Sequence, residues 1–175
     1  MLTKEAIEKY FIAQRIEGVL FMIIAAAAII VAIICFFVLK TPQCKGAAIP
    51  CVFIGLILGI VGHTIYLKSN EDRIRNVYAF TMNPAVLKQI EAPRMAIAMK
   101  NFTLYKYLNF TVAIIGLAVF FYYRSNAVQS YYKGLGIGFF IMAIVALSVN
   151  YFAEKRGRTY NNLLKEFIAN PQKKI

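Results

Sequence analysis

The chain has 175 residues, of which 60% are hydrophobic and 16% charged, with a formal net charge of +12. Soluble domains run near ~45–50% apolar, so this composition excludes an ordinary water-soluble domain and points to a bilayer protein with polar edges. The basic excess does not point to nucleic acid, because no basic stripe interleaved with aromatics occurs in a soluble stretch of useful size.

Residues 1–17, MLTKEAIEKYFIAQRIE, are charged and amphipathic. Thr3 is placed to cap a helix whose first turn holds Glu5, and Ile7, Phe11 and Ile12 give its start an apolar side. An uncharged run then extends from Gly18 to Leu39. It is too long for a signal-peptide core and shows no small-residue cleavage pattern before Lys40, so it is expected to remain as an uncleaved anchor. One helix is predicted from about residue 4 to 39.

A second apolar run covers 46–67, with His63 as its one ionisable group. Residues 68–104 are too long for a turn. NEDRIRNVYAF continues the second helix, Asn83-Pro84 supplies a break and a new start, and PAVLKQIEA reads as a short helix. Pro93 is expected to break the chain again before PRMAIAMKNFTLYKYL leads into a third run. That run reaches spanning length at 105–123 if Lys106 snorkels to the interface. A fourth covers 134–153. In the tail, 154–175, Leu163, Leu164, Phe167 and Ile168 recur at helical spacing, and PQKKI is expected to stop that helix. A bilayer core takes about 20 apolar helical residues, and continuous runs exclude barrel strands. The fold class is therefore an all-α membrane protein: four transmembrane helices as two parallel-repeat hairpins, with short amphipathic cytoplasmic helices.

Sixteen of the 20 Lys and Arg residues fall in the two terminal segments and the long middle loop, and four (Lys40, Lys45, Arg124, Lys133) fall in the two short turns. Positive charge marks the cytoplasmic side, which places both termini and 68–104 there, next to anionic lipid. Aromatic belts agree, with Phe36, Phe37 and Phe120–Tyr123 at the outer ends and Tyr10, Tyr66, Tyr105, Tyr107 and Tyr151 at the inner ends. The chain loosely resembles the small four-helix membrane proteins of bacteria, which implies an inner-membrane location and no function.

The two halves echo each other. FFVLK at 36–40 matches FFYYR at 120–124, and Lys45-Gly46 matches Lys133-Gly134. Both halves start inside, turn outside and return, so a duplication would be a parallel repeat about an axis along the membrane normal. Gly55, Gly59 and Gly62 make a small face on the second span, and Gly134 and Gly138 do so on the fourth. Small residues of this kind let helices approach closely.

Chemistry is sparse. There is no HExxH, GxSxG, P-loop or dinucleotide-binding glycine motif in a soluble βαβ context, no His/Cys/Asp/Glu set at metal spacing, and no cofactor is implied. The membrane core holds no Asp, Glu, Lys or Arg, unlike that of proton- and ion-coupled carriers. Glu17, His63, Thr64, Asn109, Thr111, Ser148 and Asn150 share the inner level and are candidates for a polar layer or a pore mouth. Glu17 is expected to pair with Lys106 or Arg15. Arg73, Arg75, Arg94, Lys155, Arg156 and Arg158 are candidates for lipid headgroups or a partner, and Glu71-Asp72 with Arg73 and Arg75 is the nearest approach to an enzymatic cluster. Cys44 and Cys51 could bridge near the outer side, and Cys35 lies deeper. The function expected is that of a non-enzymatic accessory subunit, binding a partner through packing faces and a basic cytoplasmic collar. A homo-oligomeric channel is the alternative. The partners expected are anionic lipids and either further copies of the chain or another membrane protein.

Overall fold

The computed structural model describes residues 1–125 and 127–170. Helix α1 covers Lys4–Ile33 and widens into a π-type stretch at Ile34–Leu39. Helix α2 covers Pro42–Met82, α3 is a single turn at Pro84–Val86, and a second π-type stretch at Leu87–Glu91 runs straight into α4, Ala92–Tyr122. A 3-10 turn at Ala127–Gln129 precedes α5, Ser130–Ala169. The described residues hold no strand, and four helices are long and apolar enough to cross a membrane.

The local reasons follow from the sequence. Thr3 is extended and its hydroxyl accepts the Ala6 N–H at 3.1 Å, which caps α1. Lys40 takes a left-handed conformation, φ 52°, and Thr41 accepts the Cys44 N–H at 3.2 Å with Pro42 at the first helical position. The reversal between α1 and α2 therefore needs just two residues. Pro93 does not break the chain as expected. It falls in the first turn of α4, directly after the π-type stretch. A proline ring collides with the carbonyl four residues earlier in a regular helix, and the wider π turn provides that room. The helical piece expected at PAVLKQIEA is thus the start of one rod that continues to Tyr122. The tail is likewise the continuation of α5, and the stop expected at 171–175 lies outside the described residues.

The helices lie in a row: α1 against α2, α2 against α5, α5 against α4. No backbone approach links α1 to α4 among the described residues. The seams between these apolar helices are closed by backbone approach, the kind of contact that joins helices where no hydrophobic drive acts between them. Glycines provide it. A Cβ on Gly62 would stand 2.7 Å from the Gly18 carbonyl oxygen, and one on Gly18 would stand 2.8 Å from that of Gly62. Gly116 and Gly136 oppose each other in the same reciprocal way between α4 and α5, at 2.8 and 2.7 Å. Between α2 and α5, a Cβ on Gly134 would fall on the Gln43 carbonyl and one on Gly46 on the Tyr131 carbonyl, while Gly138 abuts Ala47 and Pro50. Gln43 and Tyr131 each stand three residues before the opposing glycine, so this contact is the same read from either helix.

The correspondence extends further. Matching Phe36 to Phe120 shifts the first run by 84 residues, and matching Gly46 to Gly134 shifts the second by 88. Gly18 and Gly62 then correspond to Phe102 and Asn150, and the Asn150 side-chain amide donates to the Phe102 carbonyl at 3.0 Å. Gly116 and Gly136 correspond to Ala32 and Ala48, both buried. One half closes by bare backbone where the other uses an amide hydrogen bond or two alanines.

The larger core lies away from the turns, at what we call the polar end. Leu2, Ile7, Phe11, Ala79, Leu87, Met95, Tyr160 and Leu164 form one buried cluster drawn from α1, α2, the second π stretch, α4 and α5. Each fully buried large side chain there contributes about 1.5–3 kcal/mol of burial. A smaller cluster, Phe21, Ala25 and Leu58, joins α1 to α2 in the apolar region.

Gly62→Ala should lower the melting temperature of the purified protein by forcing α1 and α2 apart, at a cost of about 1–3 kcal/mol. Gly59→Ala, whose added methyl would meet Ala25 at an ordinary 3.6 Å, should leave it unchanged. Equal melting temperatures for the two variants would refute the backbone-contact account.

Candidate functional site

Polar atoms converge most densely inside the polar-end core. Glu91, the last residue of the second π stretch, is 0% exposed. Its carboxylate accepts from Arg94 Nη2 at 2.6 Å and Nε at 2.9 Å, a two-pronged fork, and from Asn76 Nδ2 at 3.0 Å. Asp72 accepts from Arg94 at 3.4 Å and pairs with Arg75 at 2.6 Å, and Arg75 stands 3.9 Å from Glu91. Two acids thus face two guanidiniums, and the cluster is balanced in formal charge. Helix α2 supplies Asp72, Arg75 and Asn76 from adjacent turns of one face. The π stretch and first turn of α4 supply Glu91 and Arg94 three residues apart.

Aromatic rings roof the cluster. Tyr10 stacks on Tyr160 with ring centres 4.2 Å apart and planes at 7°. The Arg94 guanidinium lies 5.3 Å from the Phe11 ring centre, and Tyr10 Oη donates to Met95 Sδ at 3.6 Å. Burial pulls the Arg94 proton affinity down, but the hydrogen bond and charge of Glu91 more than reverse this, so the guanidinium stays charged. Burial pushes the Tyr10 phenol up to about 12, with Arg94 opposing and Glu91 adding. Burial raises the Tyr160 phenol too, and the Glu91 charge reinforces it. The cluster contains no histidine or cysteine. Among the described residues no three His, Cys, Asp or Glu side chains stand close enough together to hold a metal ion. Chemically, the arrangement locks helices together.

The sequence-derived candidates disperse. Glu17 is buried and pairs with Arg156 on α5, not with Lys106 or Arg15. Arg15 instead donates to Tyr66 Oη at 2.7 Å and lies over that ring. Asn150 is buried against α4. His63, Thr64, Thr111 and Ser148 are exposed, and Asn109 is half-buried. The three hydroxyls donate to carbonyls one turn back on their own helices, Ile60, Tyr107 and Ile144, at 2.9, 3.0 and 2.9 Å. Each of these three hydroxyls is thus satisfied on its own helix, as serine and threonine in an apolar helix commonly are.

Of the basic candidates, Arg75, Arg94, Arg156 and Arg158 are all engaged by carboxylates, Arg158 by Glu154. Arg73 bonds only the Asn70 side chain, and Lys155 is exposed. The glycines Gly55, Gly62, Gly134 and Gly138 pack inside the chain, and Gly59 makes ordinary contact. Cys35, Cys44 and Cys51 are free thiols. Glu91 and Asn76 were not singled out by the sequence. The signal available was an isolated acid between two apolar residues, Ile90 and Ala92, with an arginine three positions on. Comparison with protein-family models, with curated proteins and with solved structures returns no match.

Glu91→Gln should destabilise the protein by about 1–3 kcal/mol, since it removes the charged acceptor of the Arg94 fork and leaves that guanidinium only Asp72 at 3.4 Å; denaturant titration in mild detergent measures this. Tyr10 supplies a pH signature. Its folded-state value lies above the ordinary tyrosine value of about 10, so its stabilising share is complete below pH 10 and is lost as pH rises towards 12. The fall in melting temperature over that interval should be steeper for the parent protein than for Tyr10→Phe.

Proposed function

We propose that the chain is a small polytopic integral membrane protein that works as a non-enzymatic accessory subunit, holding a membrane partner through uncovered helix faces and its polar-end bundle. In this reading the four apolar windows cross a bacterial inner membrane as two parallel-repeat hairpins, with both termini and the polar-end bundle in the cytoplasm. The distribution of Lys and Arg supports the orientation. The contact between Gly46 and Gly134, equivalent from either side, and the matched positions of the two halves support the repeat.

The observation that carries the accessory reading is the bareness of α4. Only 11% of its most apolar window is buried, against 28% for α5. Its one neighbour there is α5, and Phe110, Ile114 and Ile115 are left uncovered. A surface of this kind is met by lipid or by another protein's helix, and packing needs no polar path. The channel reading draws less support, because the Thr64, Thr111 and Ser148 hydroxyls bond their own helices and Glu17 and Asn150 are taken up by neighbouring helices.

A photocrosslinking residue at Ile114 in native membranes, combined with native mass spectrometry and ion-flux assays on reconstituted protein, tests the proposal. The expected result is one heteromeric adduct of defined mass from a monomeric or dimeric particle that passes no ions. Adducts to lipid alone would overturn the accessory role. A homo-oligomer of four or more that conducts would install the channel in its place.

A further inference from the structure

The arginines at the polar end sort into two kinds. Arg75, Arg94, Arg156 and Arg158 each have a carboxylate within ion-pair distance. Among the described residues, Arg15 and Arg73 have none, and these two line the same cleft between α1 and α2. The cleft holds about 280 Å³ and is bordered also by Phe11, Ile16, Val19 and Tyr66. It runs from Val19, inside the first apolar window, to Phe11 and Arg73, beyond it. Eight residues of α1 at 1.5 Å per residue make that about 12 Å, enough to cross a headgroup layer of ~5–8 Å and reach the acyl region.

We propose that this cleft is a binding site for an anionic phospholipid, whose phosphate sits between Arg15 and Arg73 while an acyl chain lies on Ile16 and Val19. The donor inventory supports this. A guanidinium carries five N–H groups. Arg15 spends one on Tyr66 Oη, which with the stacking at 4.5 Å to the ring centre anchors it at the cleft wall. Arg73 spends one on Asn70 Oδ1 at 3.0 Å. The remaining donors on two side chains match the oxygens of a phosphate, which the arginine fork suits geometrically. Glu8 borders Arg73 on the other side, in a separate depression and beyond ion-pair distance, so it does not neutralise the site. A zwitterionic lipid would bring its own cation against two arginines, and the site should therefore discriminate by charge.

The inference rests on the membrane reading above but not on the accessory role. Its test is native mass spectrometry of the detergent-purified protein incubated with phosphatidylglycerol or phosphatidylcholine of the same acyl chains. The expected result is selective retention of phosphatidylglycerol, reduced about fivefold by Arg73→Gln and by Arg15→Gln and unchanged by Lys165→Gln, which removes an exposed charge elsewhere on α5. Among the described residues Arg73 bonds its own helix, so Arg73→Gln reads the site even where Arg15→Gln disturbs folding. Equal retention of the two lipids, or loss as large from Lys165→Gln, would overturn the site while leaving membrane insertion standing. Retention of neither lipid would overturn both.

Discussion

A carboxylate without water contact, Glu91, organises the polar end. It has two prongs of Arg94 on one side and the Asn76 amide on another, and through Arg94 it is tied to Asp72 and Arg75. Every one of these groups would be costly to bury alone. Held together, they fix α2, the π stretch and α4 in one register, and the apolar side chains of α1 and α5 close over them. A buried ion cluster is a poor source of net stability compared with apolar packing. What it does here is favour one register, since a shift of α2 by one turn would cost Glu91 the Asn76 amide and part Arg94 from Asp72.

The apolar region obeys a different rule. With no hydrophobic drive between helices, adhesion comes from backbone approach, and approach requires missing side chains. The reciprocal glycine pairs lie at opposite depths, Gly18 with Gly62 near the polar end and Gly116 with Gly136 near the turns. The central α2–α5 contact through Gly46 and Gly134 joins the α1–α2 pair to the α4–α5 pair.

Much of the fold was legible in the sequence because it depends on short-range patterns: uninterrupted apolar runs, the Thr3 cap, and small residues spaced along one helix face. Pro93 misled because its usual effect assumes a regular helix behind it, and the π turn removes that premise. The site was far less legible. Glu17 had two basic residues nearby in sequence or level, and its partner Arg156 comes from the far end of the chain, which periodicity does not reveal. The Thr64, Thr111 and Ser148 hydroxyls lie on three different helices and bond their own backbones, and level along a helix alone does not tell which side meets which neighbour. Glu91 looked like one charge among many, and its burial follows from how five segments converge.

The row arrangement has a consequence for how the chain is made. Synthesis proceeds from the N-terminus at ~5–20 residues per second. Helix α2 finds α1 already present, and their glycine contact can close as soon as both exist. Helix α4 has no such luck, because its one neighbour in the apolar region is α5, which is synthesised after it. For the seconds needed to complete Ser130–Ala169, α4 stands without that partner, while Glu91 at its start can already meet Asn76 on α2. The nascent protein thus passes through a state with a finished first pair and an unpartnered α4, the interval in which its apolar surface is most exposed.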